Sequence, residues 1–130
     1  MARSGVVLRY AYHVLGSTMK IEREMMRGAG PVAVMKLLEP GERYGYELVE
    51  RLKNQSGGLL TMGQSTLYPL LYNLEAKKLI TGRTDDSGPR PRRYYRLTVK
   101  GKRELAKQQK QWETVTAAMA VLGVTGGGAA

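Results

Sequence analysis

Thr61-Met62-Gly63-Gln64-Ser65-Thr66-Leu67-Tyr68-Pro69-Leu70-Leu71-Tyr72-Asn73-Leu74-Glu75-Ala76-Lys77-Lys78-Leu79-Ile80 is the stretch on which the reading of this chain turns. Thr61 followed three residues later by Gln64 has the form of a capping box, which predicts a helix starting at Thr61. Leu67, Leu70, Leu71, Leu74 and Lys78 recur at spacings of three and four, and the leucines among them predict a buried stripe. At about 100° per residue, Ser65, Tyr68, Pro69, Tyr72 and Ala76 fall on the opposite side. That outer face carries small polar groups and two tyrosines but no carboxylate. It could lie in a DNA major groove without repelling phosphates. Pro69 removes one intrahelical hydrogen bond, so a bend is expected there. By itself the segment reads equally as a core helix with exposed tyrosines.

The rest of the composition tilts that balance. The chain has 130 residues, a size for one domain or one domain with a tail, and 42% hydrophobic residues supply a small core. Its net charge of +10 points to a polyanionic partner, nucleic acid before a membrane surface. The charge is concentrated. From Lys77 to Lys110 there are twelve Lys/Arg against three Asp/Glu, a net of nine positive charges. With no cysteine, a disulfide framework and a thiolate metal site are both excluded, which fits a cytoplasmic protein. Val6 to Leu15 is too short to span a bilayer and is interrupted by Arg9 and His13, so no membrane partner is expected.

Going outward from the opening stretch, residues 43–56 predict a helix packed through Leu48, Val49 and Leu52 and ended by Gly57-Gly58. Residues 19–39 predict an earlier helix, its apolar positions Met25, Met26, Val32, Met35 and Leu38, with a kink or restart near Pro31 and an end at Pro40-Gly41. The two later helices make a helix-turn-helix. Residues 1–18 read as an N-terminal appendage, with Met19 an alternative start.

After the opening helix the period changes. Ile80 to Thr84 and Arg92 to Leu97 predict two strands, and Asp85-Asp86-Ser87-Gly88-Pro89-Arg90-Pro91 between them is turn chemistry. Alternation places Tyr95 and Leu97 on one face, Tyr94 and Arg96 on the other. Such a hairpin beside a groove-binding helix is a wing, its tip expected to carry Arg90, Arg92 and Arg93. Residues 98–124 predict a long helix capped by Thr98. Leu105, Gln108, Trp112, Val115, Met119 and Leu122 repeat by threes and fours, a seam of roughly two and a half heptads with little left in its own chain to cover it. A second copy is the expected partner, and two recognition helices would match a palindromic site. Thr125 to Ala130 reads as a disordered tail.

An enzyme is poorly supported. The single histidine, His13, lies in the appendage, no carboxylate pair has a base beside it, and Asp85-Asp86 reads as a solvated turn, not a metal site. No cofactor is expected.

Tyr44-Gly45-Tyr46-Glu47-Leu48, Ser65-Thr66-Leu67-Tyr68-Pro69-Leu70-Leu71, Leu74-Glu75-Ala76-Lys77-Lys78-Leu79-Ile80 and Arg92-Arg93-Tyr94-Tyr95-Arg96-Leu97-Thr98-Val99-Lys100-Gly101 together resemble the PadR family of bacterial transcriptional regulators, in order and spacing from about Arg23 to Leu122. The resemblance implies a winged helix-turn-helix and a C-terminal dimerisation helix, a single one as in the small subfamily. It also implies repression of a nearby gene, relieved by a phenolic acid or hydrophobic drug. Ser65, Thr66 and Tyr68 are similar in position to the family's DNA-contacting residues. Trp112 is similar in placement to an aromatic lining the dimer pore of drug-sensing members. The appendage before Met19 departs from the family core.

The expectation is therefore an α+β, mainly α, protein: residues 1–18 an extension, 19–97 a winged helix-turn-helix, 98–124 a dimerisation helix and 125–130 a tail. Its partners would be double-stranded DNA, a second copy and a small aromatic ligand. Base reading is assigned to Gln64, Ser65, Thr66 and Tyr68, with Tyr72 beside them. Phosphate contact is assigned to Arg83, Arg90, Arg92, Arg93 and Lys100. Trp112 is assigned to ligand binding and the seam. The alternative is a ligand-sensing or protein-docking dimer whose basic wing meets another acidic partner.

Overall fold

The computed structural model describes residues 21–126. The extension, the alternative start at Met19 and the end of the tail lie outside them. The described chain runs α1 (Arg23–Leu38), β1 (Arg43–Tyr44), α2 (Gly45–Gln55), α3 (Gln64–Ala76), β2 (Ile80–Asp85), β3 (Arg92–Leu97) and α4 (Val99–Leu122). The strands form one antiparallel sheet in the order β1-β3-β2. This is a winged helix with a long last helix.

Each helix commits one stripe to a common core. α1 contributes Val34, Met35, Leu37 and Leu38, α2 Leu48 and Leu52, and α3 Leu67, Leu71 and Leu74. Ile80, Tyr95 and Leu97 from the sheet, Leu79 and Met62 from the turns, and Leu105 from α4 complete it. Burying each large side chain contributes about 1.5–3 kcal/mol. Leu70 is only half-buried, on the edge of the stripe against Gly30 of α1.

Several local expectations need correction. α3 starts at Gln64, not Thr61. Its N-cap is Gly63 in extended conformation, with no side-chain cap. Thr66 and Leu67 donate to the Gly63 carbonyl, so Thr61 lies outside the helix. At the other end Lys78 is not on the helical stripe. The helix stops at Ala76, Lys78 adopts φ 62°, and Leu79 donates back to the Leu74 carbonyl. This is a Schellman-type ending with lysine where glycine is usual.

α1 is a single helix through Pro31 with no restart. The carbonyl that loses its donor belongs to Arg27, an exposed residue whose backbone water can reach. α3 likewise continues through Pro69. Met25, expected in the core, is 70% exposed. Residues 43–44 are a strand, not the start of a helix. Arg43 pairs with Tyr95 and Tyr44 with Tyr94, adding a third strand to the hairpin.

α4 is anchored where it begins. The Thr98 hydroxyl accepts from the Gly101 amide at 2.9 Å and donates to the Lys78 carbonyl at 2.7 Å, joining the α4 cap to the α3 ending. Gly101 lies against the Leu79 carbonyl, where any Cβ would collide. Leu105 is 1% exposed in the core of its own chain. Its side chain is therefore already covered within its own chain and not left for a seam, because the second turn of α4 packs on the domain while Val99 in the first turn is 70% exposed.

Candidate nucleic-acid interface

The N-terminal half of α3 stands clear of the core because its leucines take the opposite side. Gln64, Ser65, Thr66, Tyr68, Pro69, Tyr72 and Asn73 are all exposed. Tyr72 stands out at 74% exposure, while Tyr68 is 40% exposed. The difference has a cause. Tyr68 lies across the start of α2, where a Cβ on Gly45 would come within 2.6 Å of its hydroxyl oxygen. Only glycine leaves that room, so Gly45 fixes the ring while its edge remains accessible. Without a capping side chain, the first amides of α3 also face outward, in a field that favours anions.

Glu75 is the only acidic residue of α3, and it is turned away from this face. It accepts from Arg93 at 2.8 Å. The exposed residues of this face thus keep the acid-free surface read from the sequence.

The sheet divides the wing cations. β3 alternation sends Arg92, Tyr94 and Arg96 outward and Arg93, Tyr95 and Leu97 inward. Arg92 and Arg93 are therefore not at the tip. They are paired strand residues opposite Asp85 and Thr84, and the tip keeps Arg90. The turn is an Asx-turn, with Asp85 accepting from the Ser87 amide and hydroxyl at 3.0 and 2.6 Å. Those two donors hold the Asp85 carboxyl below the usual carboxylate range.

On the outer face Tyr44 and Tyr94 meet edge to face with ring centroids 5.8 Å apart, flanked by the Arg92 guanidinium over Tyr44 and Arg83 over Tyr94, each at 4.9 Å. Arg83 also grips Glu42 through two hydrogen bonds of 2.9 and 2.6 Å. Arg83 donation holds the Glu42 carboxyl below its ordinary range, and the same bonds raise the Arg83 pKa. Arg83 is a committed cation, Arg92 a stacked one, and Arg90 is exposed at the tip. Lys100 is exposed on α4 and donates to the Lys77 carbonyl at 3.0 Å.

Trp112 lies in the far half of α4. From Gln111 onward α4 is exposed apart from half-buried Ala120, including Trp112 (42%), Val115 (47%), Met119 (39%) and Leu122 (75%). Gln108 is half-buried and donates to Glu104 at 2.8 Å.

Sequence reasoning missed Gly45, Gly82 and Glu75. The two glycines carried a signal, glycine at the start of a helix and inside a strand, which marks close approach. Glu75 carried none, since its partner is eighteen residues away.

Three comparisons bear on this surface. Residues 34–107 match the model of the transcriptional regulator PadR-like family. The negative transcriptional regulator PadR of Bacillus subtilis is 35% identical over 74 residues, which is 56% of this chain and 41% of that protein. Among solved structures, a PadR family transcriptional regulator from Eggerthella lenta superposes with a TM-score of 0.68 at 34% identity, covering 76% of this chain and 85% of the other. The Bacillus subtilis PadR structure in complex with operator DNA superposes with a TM-score of 0.59 at 33% identity, covering 65% and 48%. The match spans the helix-turn-helix, the wing and the start of α4, and the chain accordingly belongs to the PadR-like family of transcriptional regulators, which are not enzymes.

Proposed function

We propose that this protein is a repressor that binds palindromic operator DNA as a homodimer and is released by a small aromatic or hydrophobic ligand. The observation that carries the DNA reading is the outer face of α3, exposed and acid-free, with the chain's own basic hairpin beside it. Gln64, Ser65, Thr66, Tyr68 and Tyr72 read base edges, where amide and hydroxyl groups meet the major-groove pattern. Arg90, Arg92 and Lys100 contact phosphate, with Arg83 behind them, and the free amides of α3 add to that field. The operator-bound Bacillus subtilis relative supports the same use of this fold.

The exposed row Trp112, Val115, Met119 and Leu122 supports a second copy packing along α4. Paired Trp112 rings at that seam would form a platform for a planar ligand. Ligand binding there would change the separation of the two recognition helices and so the fit to successive grooves. A working place in the cytoplasm follows from this role.

The test is an anisotropy titration of the protein against its own upstream DNA at two salt concentrations, with random DNA as competitor. Competitor-resistant binding that weakens steeply with salt is expected. Equal, weak binding to both DNAs would overturn the operator reading. Quenching of Trp112 fluorescence by aromatic ligands, together with release of DNA, checks the sensing step.

A further inference from the structure

Arg93 is the one wing arginine of β3 whose guanidinium reaches α3. It donates to Glu75 at 2.8 Å and to Thr84 at 3.3 Å, and sits 5.6 Å from the centroid of the Tyr95 ring. It lies flat on the sheet because Gly82 is beneath it. A Cβ there would stand 2.8–2.9 Å from three guanidinium atoms. The hairpin leaves α3 through only a short turn built on the left-handed Lys78, so the covalent link alone makes a single hinge. The Arg93–Glu75 bridge spans the other side of that hinge.

We infer that Arg93 and Glu75 form a strut that sets the angle of the wing to the recognition helix, and that Arg93 is a positioning residue, not a phosphate contact. Its donors are directed to Glu75 and Thr84 on the inner face of the sheet, whereas Arg90 and Arg92 are at the tip and the outer face. Gly82 is part of the device, since its lack of a side chain makes the flat path open. The inference rests on the DNA-binding reading and refines which cations do the binding.

The experiment is a salt series of operator affinity for the full-length protein and four variants, E75Q, R93Q, G82A and the swap E75R/R93E, with R90A as a phosphate-contact control. Removing the Glu75 charge should strengthen DNA binding if charge alone mattered. The strut predicts instead a loss of roughly tenfold in E75Q and R93Q, within the range for neighbouring coupled residues, and recovery in the swap. G82A should lose affinity with no change of charge. In all of these the slope of log affinity against log salt should stay that of the unaltered protein, while R90A should reduce it by about one.

Tighter or unchanged binding by E75Q, or a slope reduced by about one in R93Q, would overturn the strut while leaving the DNA reading in place. No competitor-resistant binding by the unaltered protein would overturn both. Circular dichroism melts identify a variant that is simply unfolded, and in that case G82A and the swap decide the outcome.

Discussion

α3 leaves one side uncovered and the far half of α4 nearly all of its surface, and the apolar row there has the opposite chemistry. α3 exposes glutamine, serine, threonine and tyrosine with no carboxylate on that side. α4 beyond Gln111 exposes tryptophan, valine, methionine and leucine at helical spacing. A polar, hydrogen-bonding face is stable in water and is satisfied by a polar groove. An apolar row is costly in water and is satisfied by another apolar row. The two surfaces thus call for different kinds of counterpart, a polar groove for α3 and an apolar row for α4, which is why DNA is proposed for the first and a second copy for the second.

The comparison can be broken within α4 itself. Leu105 sits in the core of its own chain, whereas Trp112 starts the uncovered row. Leu105→Ala should cost about 2–5 kcal/mol of stability, measured by urea unfolding at a concentration where association is fixed. Trp112→Asp should leave the helical content of the chain intact and weaken self-association roughly thirtyfold or more, read by analytical ultracentrifugation. If Trp112→Asp unfolds the chain and Leu105→Ala does not, the assignment of the two halves is reversed.

On α3 the corresponding test is Gln64→Ala. It should reduce operator affinity by about 1–3 kcal/mol through a lost base contact. Unfolding should shift by less than about 0.5 kcal/mol, because the side chain is exposed. A matching fall in stability would mean the residue acts on the fold.

A smaller effect is expected where α3 ends. Lys78 holds a left-handed conformation at φ 62°. Lys78→Gly should stabilise the chain by about 1 kcal/mol, read as a raised urea midpoint with an unchanged slope.

The smallest effect is in acid. Burial pushes the Glu47 carboxyl up, but hydrogen bonds from Arg51 and Arg43 outweigh it and hold the group below its ordinary value of 4.5. The unfolded chain therefore binds a proton before the folded one does. Glu47 contributes its full stabilisation above the unfolded value, and the contribution is lost as pH falls through the lower, folded value. Glu42 and Asp85 act in the same direction. Melting temperature should fall as pH drops through the carboxylate range, and Glu47→Gln should flatten that dependence slightly. A Glu47→Gln melt with the same pH slope would remove this residue from the account.

How much of the molecule was legible depends on the range of the interactions involved. The hairpin, the Thr98 cap and the leucine stripe are local patterns, and they were placed within a residue or two. The capping box at Thr61 misled because Gly63, in extended backbone, supplies the cap position without any side chain. The strand at Arg43–Tyr44 was hidden because two residues carry no period, and only their pairing with Tyr95 and Tyr94 defines it. Leu105 fits the heptad spacing as well as any seam residue, and only the packing of α4 against the domain puts it in the core.

The sequence by itself determined which faces are apolar, where the charge is concentrated and where the chain turns, because these depend on residue type and on spacings shorter than a few turns. The tertiary structure alone decided which wing cations are paired with a carboxylate. Arg83 reaches Glu42 across forty-one residues and Arg93 reaches Glu75 across eighteen. An ion pair depends on distance in space, and chain distance of that length carries no information about it until the sheet has folded against α3.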